Sequence, residues 1–279
     1  MQDHQKLLKP HVIAFIDVMG TKEILKNQSK KEDLLNLLLS VHREEQKEGR
    51  LEPIENGVSV EANVTSFSDH IVISIPLCKN LKNGTTLDAA LGLIQQHLSR
   101  LFSRALAYNF LIRGAIDVGE LYHEKHMVFG QSLVDAYLNE SKAVYPRIVL
   151  TDNCLAKRID YNLDYGIPDR PNYFFELNTL DFNSSEPGSN SGVYTSANVF
   201  IDYDGTSCLR MVNTHSWHNI PDPMIDFKKS ICKGKTDCGS DSYLKKNWIW
   251  LERYIEKETY SWQQFKKHWS SFPSLKTDS

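Results

Sequence analysis

The sequence predicts an α+β protein in which helices pack on a mainly antiparallel sheet. Two observations lead to this fold class. Strand-like segments with alternating apolar residues come in pairs separated by short turns, and amphipathic helical segments stand between those pairs. Helices interleaved with antiparallel pairs indicate a sheet that is covered on one face by helices.

The first predicted strand covers residues 12–18, which are nearly all apolar, as in a central strand that is covered on both faces. A short helical segment follows, through Leu25. Residues 29–32 then have the spacing of a capping box, with Ser29 and Glu32 at its ends. They open a helix whose apolar positions are Leu34, Leu35, Leu38 and Val41.

A β-hairpin is predicted next. Residues 58–65 and 71–75 alternate between polar and apolar, and Asp69 lies at the tip between them. The longest amphipathic helix covers residues 86–106. Its buried stripe is predicted to consist of Leu87, Ala90, Leu91, Ile94, Leu98, Leu101 and Phe102.

A second strand pair begins with residues 110–118, turns at Gly119-Glu120 and returns near residues 127–129. A helix from residue 131 to about residue 143 and a strand over residues 146–151 follow. These elements complete the predicted sheet.

Towards the C-terminus the periodic signal is weaker. We predict a strand over residues 173–177, a hairpin around Asp204-Gly205 and an aromatic-rich helix over residues 241–258. We therefore divide the chain into a first domain over residues 10–160 and an extension over residues 161–279. The extension is expected to pack on the core or on a dimer interface.

Composition excludes several classes of protein. The chain has 279 residues, with 32 Lys and Arg against 35 Asp and Glu, so its net charge is −3 and a strongly cationic nucleic-acid binder is not expected. No apolar stretch reaches the ~20 residues of a membrane-spanning helix, and the first residues lack a secretory signal. Five scattered cysteines without a Cys-x-x-Cys pair indicate reduced thiols. We expect a cytoplasmic protein.

Two acidic residues carry the predicted chemistry. Asp17 ends an apolar strand and Asp69 lies at a hairpin tip, so the two carboxylates converge if these strands are neighbours. Their mutual repulsion would be relieved by Mg²⁺ or Mn²⁺, which prefer oxygen ligands. Gly20 permits close backbone approach, and the amides of Met19 to Thr21 could receive phosphate. Taken singly, Asp17 can be a helix cap, Asp69 a turn residue and Gly20 a tight turn.

Several segments, in this order, resemble the catalytic domain of class III nucleotidyl cyclases. They are Phe15-Ile16-Asp17-Val18-Met19-Gly20-Thr21, Phe67-Ser68-Asp69, Arg113-Gly114-Ala115-Ile116-Asp117-Val118-Gly119 and Phe129 to Tyr137 with Glu140. The resemblance covers about residues 10–155. More narrowly, Arg113 to Ile116, Gly119 to Tyr122, Ala136-Tyr137, Glu140 and Tyr145 to Ile148 are similar to the pyrimidine cyclases of bacterial Pycsar anti-phage systems.

The resemblance implies a ferredoxin-like palm in which Asp17, Val18 and Asp69 hold two Mg²⁺ or Mn²⁺ ions. The ions would activate the ribose 3′-hydroxyl toward the α-phosphate and neutralise the departing pyrophosphate. It also implies a homodimer with composite active sites. The positions that would bind substrate are Val18, Met19, Gly20, Thr21, Thr65, Ser68 and Met127.

The chain departs from this family at four positions. Thr65 and Met127 stand where purine cyclases place their base-reading side chains, so the usual adenine or guanine contacts are missing. Val134 and Leu138 stand where many members have an Asn and an Arg that stabilise the transition state, and neither can donate a hydrogen bond. Another cation would have to serve.

Arg113 and Arg147 are the candidate cations, and both are predicted to be catalytic. Each also has a structural interpretation. Arg113 shares a strand face with Asp117 and could simply pair with it, while Arg147 could be a surface residue at a strand start.

The resulting hypothesis is a pyrimidine cyclase that converts UTP, or with lower preference CTP, into a 3′,5′-cyclic monophosphate. The product would activate a separate effector in anti-phage defence. One alternative is a catalytically inactive cyclase-like module that binds nucleotide or a partner. Another is a purine cyclase with unconventional base contacts. No nucleic-acid or membrane partner is expected.

Other features receive a structural interpretation. We expect His70 to face solvent and His123-x-x-His126 to be loop histidines, since no helix or third zinc ligand accompanies them. Aromatic residues through Tyr254 are expected in the core or at a dimer interface. A solvated loop is predicted for Lys228, Lys229, Lys233 and Lys235.

Overall fold

The computed structural model describes residues 7–48, 62–77, 87–124, 127–157, 199–202, 204–212, 223–239 and 241–271. Within the helices and strands, side chains are described except at residues 42–48, 88–89, 199–201, 223–225 and 261–271. The predictions for residues 58–61, residues 173–177, Thr86 and His126 lie outside the described residues.

The first part of the chain forms four strands and three helices. In chain order they are β1 (Lys9–Val18), α1 (Thr21–Ile24), α2 (Gln28–Glu48), β2 (Asn63–Phe67), β3 (His70–Pro76), α3 (Leu87–Ala107) and β4 (Ile112–Glu124). The next elements are β5 (Met127–Phe129), α4 (Gln131–Glu140), β6 (Ile148–Leu150) and a short helix α5 over residues 152–157. The last ones are β7 (Val199–Ile201), β8 (Ser207–Leu209), α6 (Pro223–Asp237) and α7 (Ser242–Ser271).

The described strands form one sheet in the order β2-β3-β1-β4-β6-β8-β7, with β5 paired to β4. Neighbours among the first four strands are antiparallel, and α2 and α3 are the two crossovers. This β-α-β-β-α-β arrangement is the ferredoxin-like topology. Among the described strand pairs only β4 and β6 are parallel. The predicted α+β class with a mainly antiparallel sheet is confirmed.

The two faces of β1 are buried in different ways, which explains its nearly continuous apolar sequence. Val12, Ala14 and Ile16 join the main core. Ile13 and Phe15 point to the other face, where a smaller apolar cluster includes Ala136 of α4. The main core is formed with α2 and α3, whereas α4 packs on the second face.

The predicted hairpin and the long helix are confirmed. β2 and β3 pair around a turn at Ser68-Asp69, and the whole predicted stripe of α3 is buried. The start of α2 was predicted wrongly, because Asn27 rather than Ser29 caps it through a hydrogen bond from the Lys30 amide at 3.2 Å. Leu35, one of the four apolar positions of this helix, is 55% exposed.

The predicted turn at Gly119-Glu120 is wrong. β4 continues past Gly119 because β1 begins at Lys9 and pairs with it as far as Leu121. Residues 122–124 then pair with β5. The return strand near residues 127–129 is present as β5. Because β4 is longer than predicted, His123 lies on a strand and not in a loop.

The C-terminal part of the described chain contributes to the same sheet and core. β7 and β8 extend the sheet beyond β6, around a turn in which Gly205 has φ 82°. Trp248, Trp250 and Tyr254 of α7 are buried in the main core. The division of the chain at residue 160 stays a prediction.

The solvated loop predicted for the lysine cluster is wrong, since its members lie on α6. This helix packs on α3 through Phe227, whose ring centroid is 5.6 Å from that of Phe102. The predicted aromatic helix is longer than expected and continues to Ser271. None of the described helices combines the length and apolar character needed to cross a bilayer.

Candidate metal and nucleotide site

Asp17 is the middle member of a row of side chains across three strands. It lies opposite His70 of β3 on one side and opposite Arg113 of β4 on the other. Directly opposed residues of antiparallel strands point to the same face of a sheet. The pairing register therefore places a carboxylate between an imidazole and a guanidinium.

Asp69 reaches the same place through the hairpin turn. Ser68 adopts a left-handed conformation with φ 56°, which makes the turn tight. The carbonyl of Asp69 then accepts a hydrogen bond from the Val18 amide at 3.3 Å, so the tip is attached to the end of β1. Ligand atoms of Asp17, Asp69 and His70 all lie within 4.8 Å of one another.

His70 joins the two carboxylates. Its Nε2 is 3.7 Å from Asp17 Oδ1, and its Nδ1 is 3.4 Å from Asp69 Oδ1. The ring stacks on Phe67 with a centroid distance of 5.6 Å and lies 5.0 Å from Phe15. His70 is thus a half-buried member of the site, and the prediction that it faces solvent is wrong.

The two carboxylates have different electrostatic surroundings. Burial raises the pKa of Asp17 above its usual value, although Arg113 and His70 oppose that shift. Burial acts in the same direction on Asp69, but hydrogen bonds from Ser68 and Thr21 outweigh it and leave the pKa of Asp69 lowered. Asp69 is therefore ionised more readily, whereas Asp17 gains most from a further positive charge.

The residues at this site fit a divalent cation. Two carboxylates supply hard oxygen donors, and the imidazole supplies a nitrogen. Carboxylates suit Mg²⁺ and Mn²⁺, and the nitrogen donor favours Mn²⁺ of the two. Asp17, Asp69 and His70 would hold the ion.

Arg113 pairs with acidic groups other than the one expected. Its Nε lies 3.3 Å from Asp17 Oδ2 and 2.5 Å from Glu140 Oε1. Asp117 is instead hydrogen-bonded to Thr151 and Asn153. The alternative that Arg113 simply pairs with Asp117 is therefore wrong, and its guanidinium belongs to the Asp17 site.

Arg147 lies in a separate buried network. Its Nη1 pairs with Asp202, and its Nη1 and Nη2 donate to Asp204 at 2.9 and 2.7 Å. Trp250 Nε1 also donates to Asp202, at 3.0 Å. Arg147 is 1% exposed, so it is not a surface residue, and its carboxylate partners are not residues of the Asp17 site. Its predicted catalytic role stays a prediction.

The turn after β1 is partly as predicted. Gly20 has φ 80°, a conformation that glycine adopts without strain, and α1 follows it. The Met19 amide, however, donates to the Leu111 carbonyl at 2.8 Å, and the Val18 amide is used by Asp69. Of the amides predicted to receive phosphate, that of Met19 is therefore not available. The Val18 carbonyl accepts a hydrogen bond from Thr21 Oγ1 at 2.7 Å.

Thr65 and Met127, which only the family resemblance links to base recognition, differ in exposure. Thr65 is buried, and its hydroxyl is hydrogen-bonded to His123 Nε2 at 2.9 Å. The other ring nitrogen of His123 is 2.9 Å from Ser74 Oγ. Met127 is 59% exposed. His123 is thus a buried strand residue, and the prediction of a loop histidine is wrong.

Two residues of the site were missed in the sequence. Glu140 appeared only as part of a motif, and His70 was assigned to solvent. The register of the hairpin could have identified His70, because a turn centred on Ser68-Asp69 places it opposite the end of β1. No local pattern identifies Glu140, which reaches Arg113 from the end of α4.

Comparisons with known proteins give distant structural likenesses. No protein-family model matches the chain, and no curated protein matches it. The catalytic core of a rhodopsin-guanylyl cyclase with converted specificity, solved with ATPalphaS, has 14% identity and a TM-score of 0.38, over 53% of this chain and 80% of that one.

A bacterial light-regulated adenylyl cyclase has 15% identity and a TM-score of 0.36, over 55% of this chain and 80% of that one. A further structure of a bacterial light-regulated adenylyl cyclase has 13% identity and a TM-score of 0.36, over 53% of this chain and 45% of that one. Likenesses with TM-scores below 0.5 do not indicate the activity of this chain.

Proposed function

We propose that this protein is a nucleotidyl cyclase that acts on a pyrimidine nucleoside triphosphate, with UTP preferred to CTP. The observation that carries the proposal is the meeting of Asp17, Asp69 and His70 within 4.8 Å on one face of a ferredoxin-like sheet. The ribose 3′-oxygen would attack the α-phosphorus, and the bond to the bridging oxygen would break. The products would be a 3′,5′-cyclic monophosphate and pyrophosphate.

Each residue of the site has a part in this reaction. Asp17, Asp69 and His70 would hold Mg²⁺ or Mn²⁺, with two ions per site as the family resemblance implies. When bound, the ions supply charge neutralisation of the triphosphate and a more acidic 3′-hydroxyl. Arg113 supplies a fixed cation on the same face, where it can offset charge on phosphate oxygens.

The preference for a pyrimidine is supported by what Thr65 and Met127 offer. The Thr65 hydroxyl is already hydrogen-bonded to His123, and Met127 is apolar. Neither provides a free charged or polar group for the edge of a purine. A purine whose polar edge is left without hydrogen bonds binds more weakly. The missing contacts therefore favour a pyrimidine substrate.

A homodimer is supported by apolar side chains that remain exposed beside the site. Val134 and Leu138 of α4 are 45% and 58% exposed, and Met127 and Phe129 of β5 are exposed as well. Grouped exposed apolar residues typically mark an interaction surface. A second copy of this chain would cover them.

The proposal also includes a biological role. The cyclic nucleotide would act on a separate effector in the cytoplasm, as part of anti-phage signalling.

The test is to incubate the purified protein with each of the four NTPs and Mn²⁺, and to identify products by mass spectrometry. We expect cyclic UMP, with less cyclic CMP. Asp69→Asn should reduce turnover by more than about 100-fold, because it removes a metal-binding charge. Asp226→Asn is the matched control, since Asp226 lies exposed on α6. Absence of product from both pyrimidine triphosphates, at concentrations that support dimers, would contradict the proposal.

A second candidate function is an inactive module that binds nucleotide or a partner. Two observations favour it: Arg113 already pairs with Asp17, and the exposed Val134 and Leu138 supply no polar group. In such a module Asp17→Asn would leave nucleotide binding unchanged. It would also raise the stability of the fold, because burying the Asp17 charge is unfavourable, as its raised pKa indicates. A purine cyclase, the third possibility, would be recognised by cyclic AMP or cyclic GMP in the same product assay.

A further inference from the structure

We infer that Glu140 is a positioning residue that sets how strongly Asp17 and Asp69 bind a divalent cation, by acting on Arg113. The inference rests on the proposed function, because it concerns the metal site of that function. It assigns Glu140 a role that is distinct from metal ligation.

The contact between Glu140 and Arg113 is close and buried. Glu140 is the last residue of α4 and is buried, with its Oε1 at 2.5 Å from Arg113 Nε. The same nitrogen donates a hydrogen bond to Asp17 Oδ2 at 3.3 Å. This N–H is directed at Asp17, and Glu140 Oε1 accepts no hydrogen bond from the described residues, so the two carboxylates compete for the same Nε–H.

This competition bears directly on the metal site. A guanidinium held by Asp17 occupies an oxygen that a cation needs and neutralises the charge that attracts it. Glu140 offers Arg113 a second carboxylate that is already in contact. Arg113 can therefore remain paired while Asp17 takes a cation. Without that second carboxylate, Arg113 would be left with Asp17 alone.

The position of Glu140 fits a role through Arg113 rather than a ligand role. The group of mutually close ligand atoms contains Asp17, Asp69 and His70, and Glu140 is outside it. The helix that carries Glu140 is fixed to the sheet through Ala136, which is buried in the same apolar cluster as Phe15. Residues that orient metal ligands from outside the coordination sphere typically change metal affinity roughly 10–100-fold when they are replaced.

The test measures Mn²⁺ binding to the full chain directly, by the electron paramagnetic resonance signal of free Mn²⁺, without nucleotide. Glu140→Gln should raise the dissociation constant about 10-fold or more. Asp135→Asn, which removes a charge from the same helix but does not contact Arg113, should leave it unchanged. In an Arg113→Gln background, Glu140→Gln should have less than about a 2-fold effect, because no guanidinium remains to be redirected.

Two results would overturn the inference: an unchanged dissociation constant in Glu140→Gln, or the same change with and without Arg113. Glu140→Asp, which keeps the charge, should recover part of the affinity and serves if Glu140→Gln does not fold. Thermal unfolding of each variant separates lost binding from lost structure. If the wild-type chain binds no Mn²⁺, or Asp17→Asn leaves binding unchanged, the proposed metal site itself fails, which is a different outcome.

Discussion

His70 and Asp17 lie opposite each other on neighbouring strands, and His70 Nε2 is 3.7 Å from Asp17 Oδ1. The other ring nitrogen of His70 is 3.4 Å from Asp69. A single imidazole therefore bridges two carboxylates that are distant in the chain. The hairpin turn at Ser68 produces this relationship, because it returns the chain to β1 one residue after Asp69.

The first prediction tests whether the His70 nitrogens bind metal. His70→Phe keeps a ring that can stack on Phe67 and Phe15 but removes both nitrogens. We expect the Mn²⁺ dissociation constant to rise about 10-fold or more, since a ligand or its orientation is lost. The melting temperature should change little, because the apolar contacts are kept. Wild-type Mn²⁺ affinity in His70→Phe would show that the imidazole is not a ligand.

The second prediction separates a structural role of Arg147 from a catalytic one. Arg147→Met leaves the buried Asp202 without its cation, and breaking such a pair costs about 3–5 kcal/mol of unfolding free energy. Urea unfolding measures this loss. Turnover per folded molecule should be unchanged, because Arg147 is 1% exposed and its partners Asp202 and Asp204 are not residues of the Asp17 site.

The matched control for Arg147 is the double variant Arg147→Met with Asp202→Asn. It removes both charges together and should regain part of the lost stability, since no unpaired buried charge remains. A fall in turnover that exceeds the fall in folded protein would instead restore the catalytic assignment.

The third prediction concerns pH and His123. Burial, together with the nearby His11, lowers the pKa of His123 to about 4 in the folded state, against about 6.5 in an unfolded chain. Between these values the unfolded state binds more protons, so the contribution of His123 to stability is complete above about pH 6.5 and is lost as the pH falls toward 4. The loss amounts to about 3 kcal/mol at most.

Urea unfolding of the wild type and of His123→Gln between pH 4 and pH 7 isolates this contribution, because other groups titrate in both proteins. Gln can keep hydrogen bonds to Thr65 and Ser74 without titrating. We expect a shallower pH dependence in His123→Gln. Identical slopes would mean that His123 is not held neutral by the fold.

The fourth prediction concerns a close approach between β1 and β4 at Gly114. A Cβ at Gly114 would lie 2.3 Å from the Phe15 carbonyl oxygen, which is backbone and cannot move aside easily. Gly114→Ala should therefore destabilise the protein by about 1–3 kcal/mol or more. Gly119→Ala is the control, since its Cβ would lie 3.1 Å from Ser132 Cβ. The side chain of Ser132 would have to move less than the Phe15 backbone would for Gly114→Ala. Equal losses would contradict this ranking.

Several elements could be predicted because their causes are local. The apolar run of β1, the alternation of the hairpin and the stripe of α3 each reflect burial with a fixed period, and the structure confirms them. The errors come from pairing beyond the local segment. β4 continues past Gly119 because Lys9 and Pro10 of β1 pair with Leu121 and Glu120. The residues around Gly119 do not indicate this pairing, because the partner strand is distant in the sequence.

The sequence by itself determined that one acidic residue, Asp17, ends a central strand and that another, Asp69, lies at the tip of a hairpin. Only the tertiary structure decided which charges meet. Strand register sets His70 and Arg113 beside Asp17, helix packing brings Glu140 to Arg113, and the β7–β8 hairpin withdraws Arg147 into a buried ion pair. Coulomb interactions depend on distance through space, and the folded sheet and helices set that distance between residues far apart in the chain.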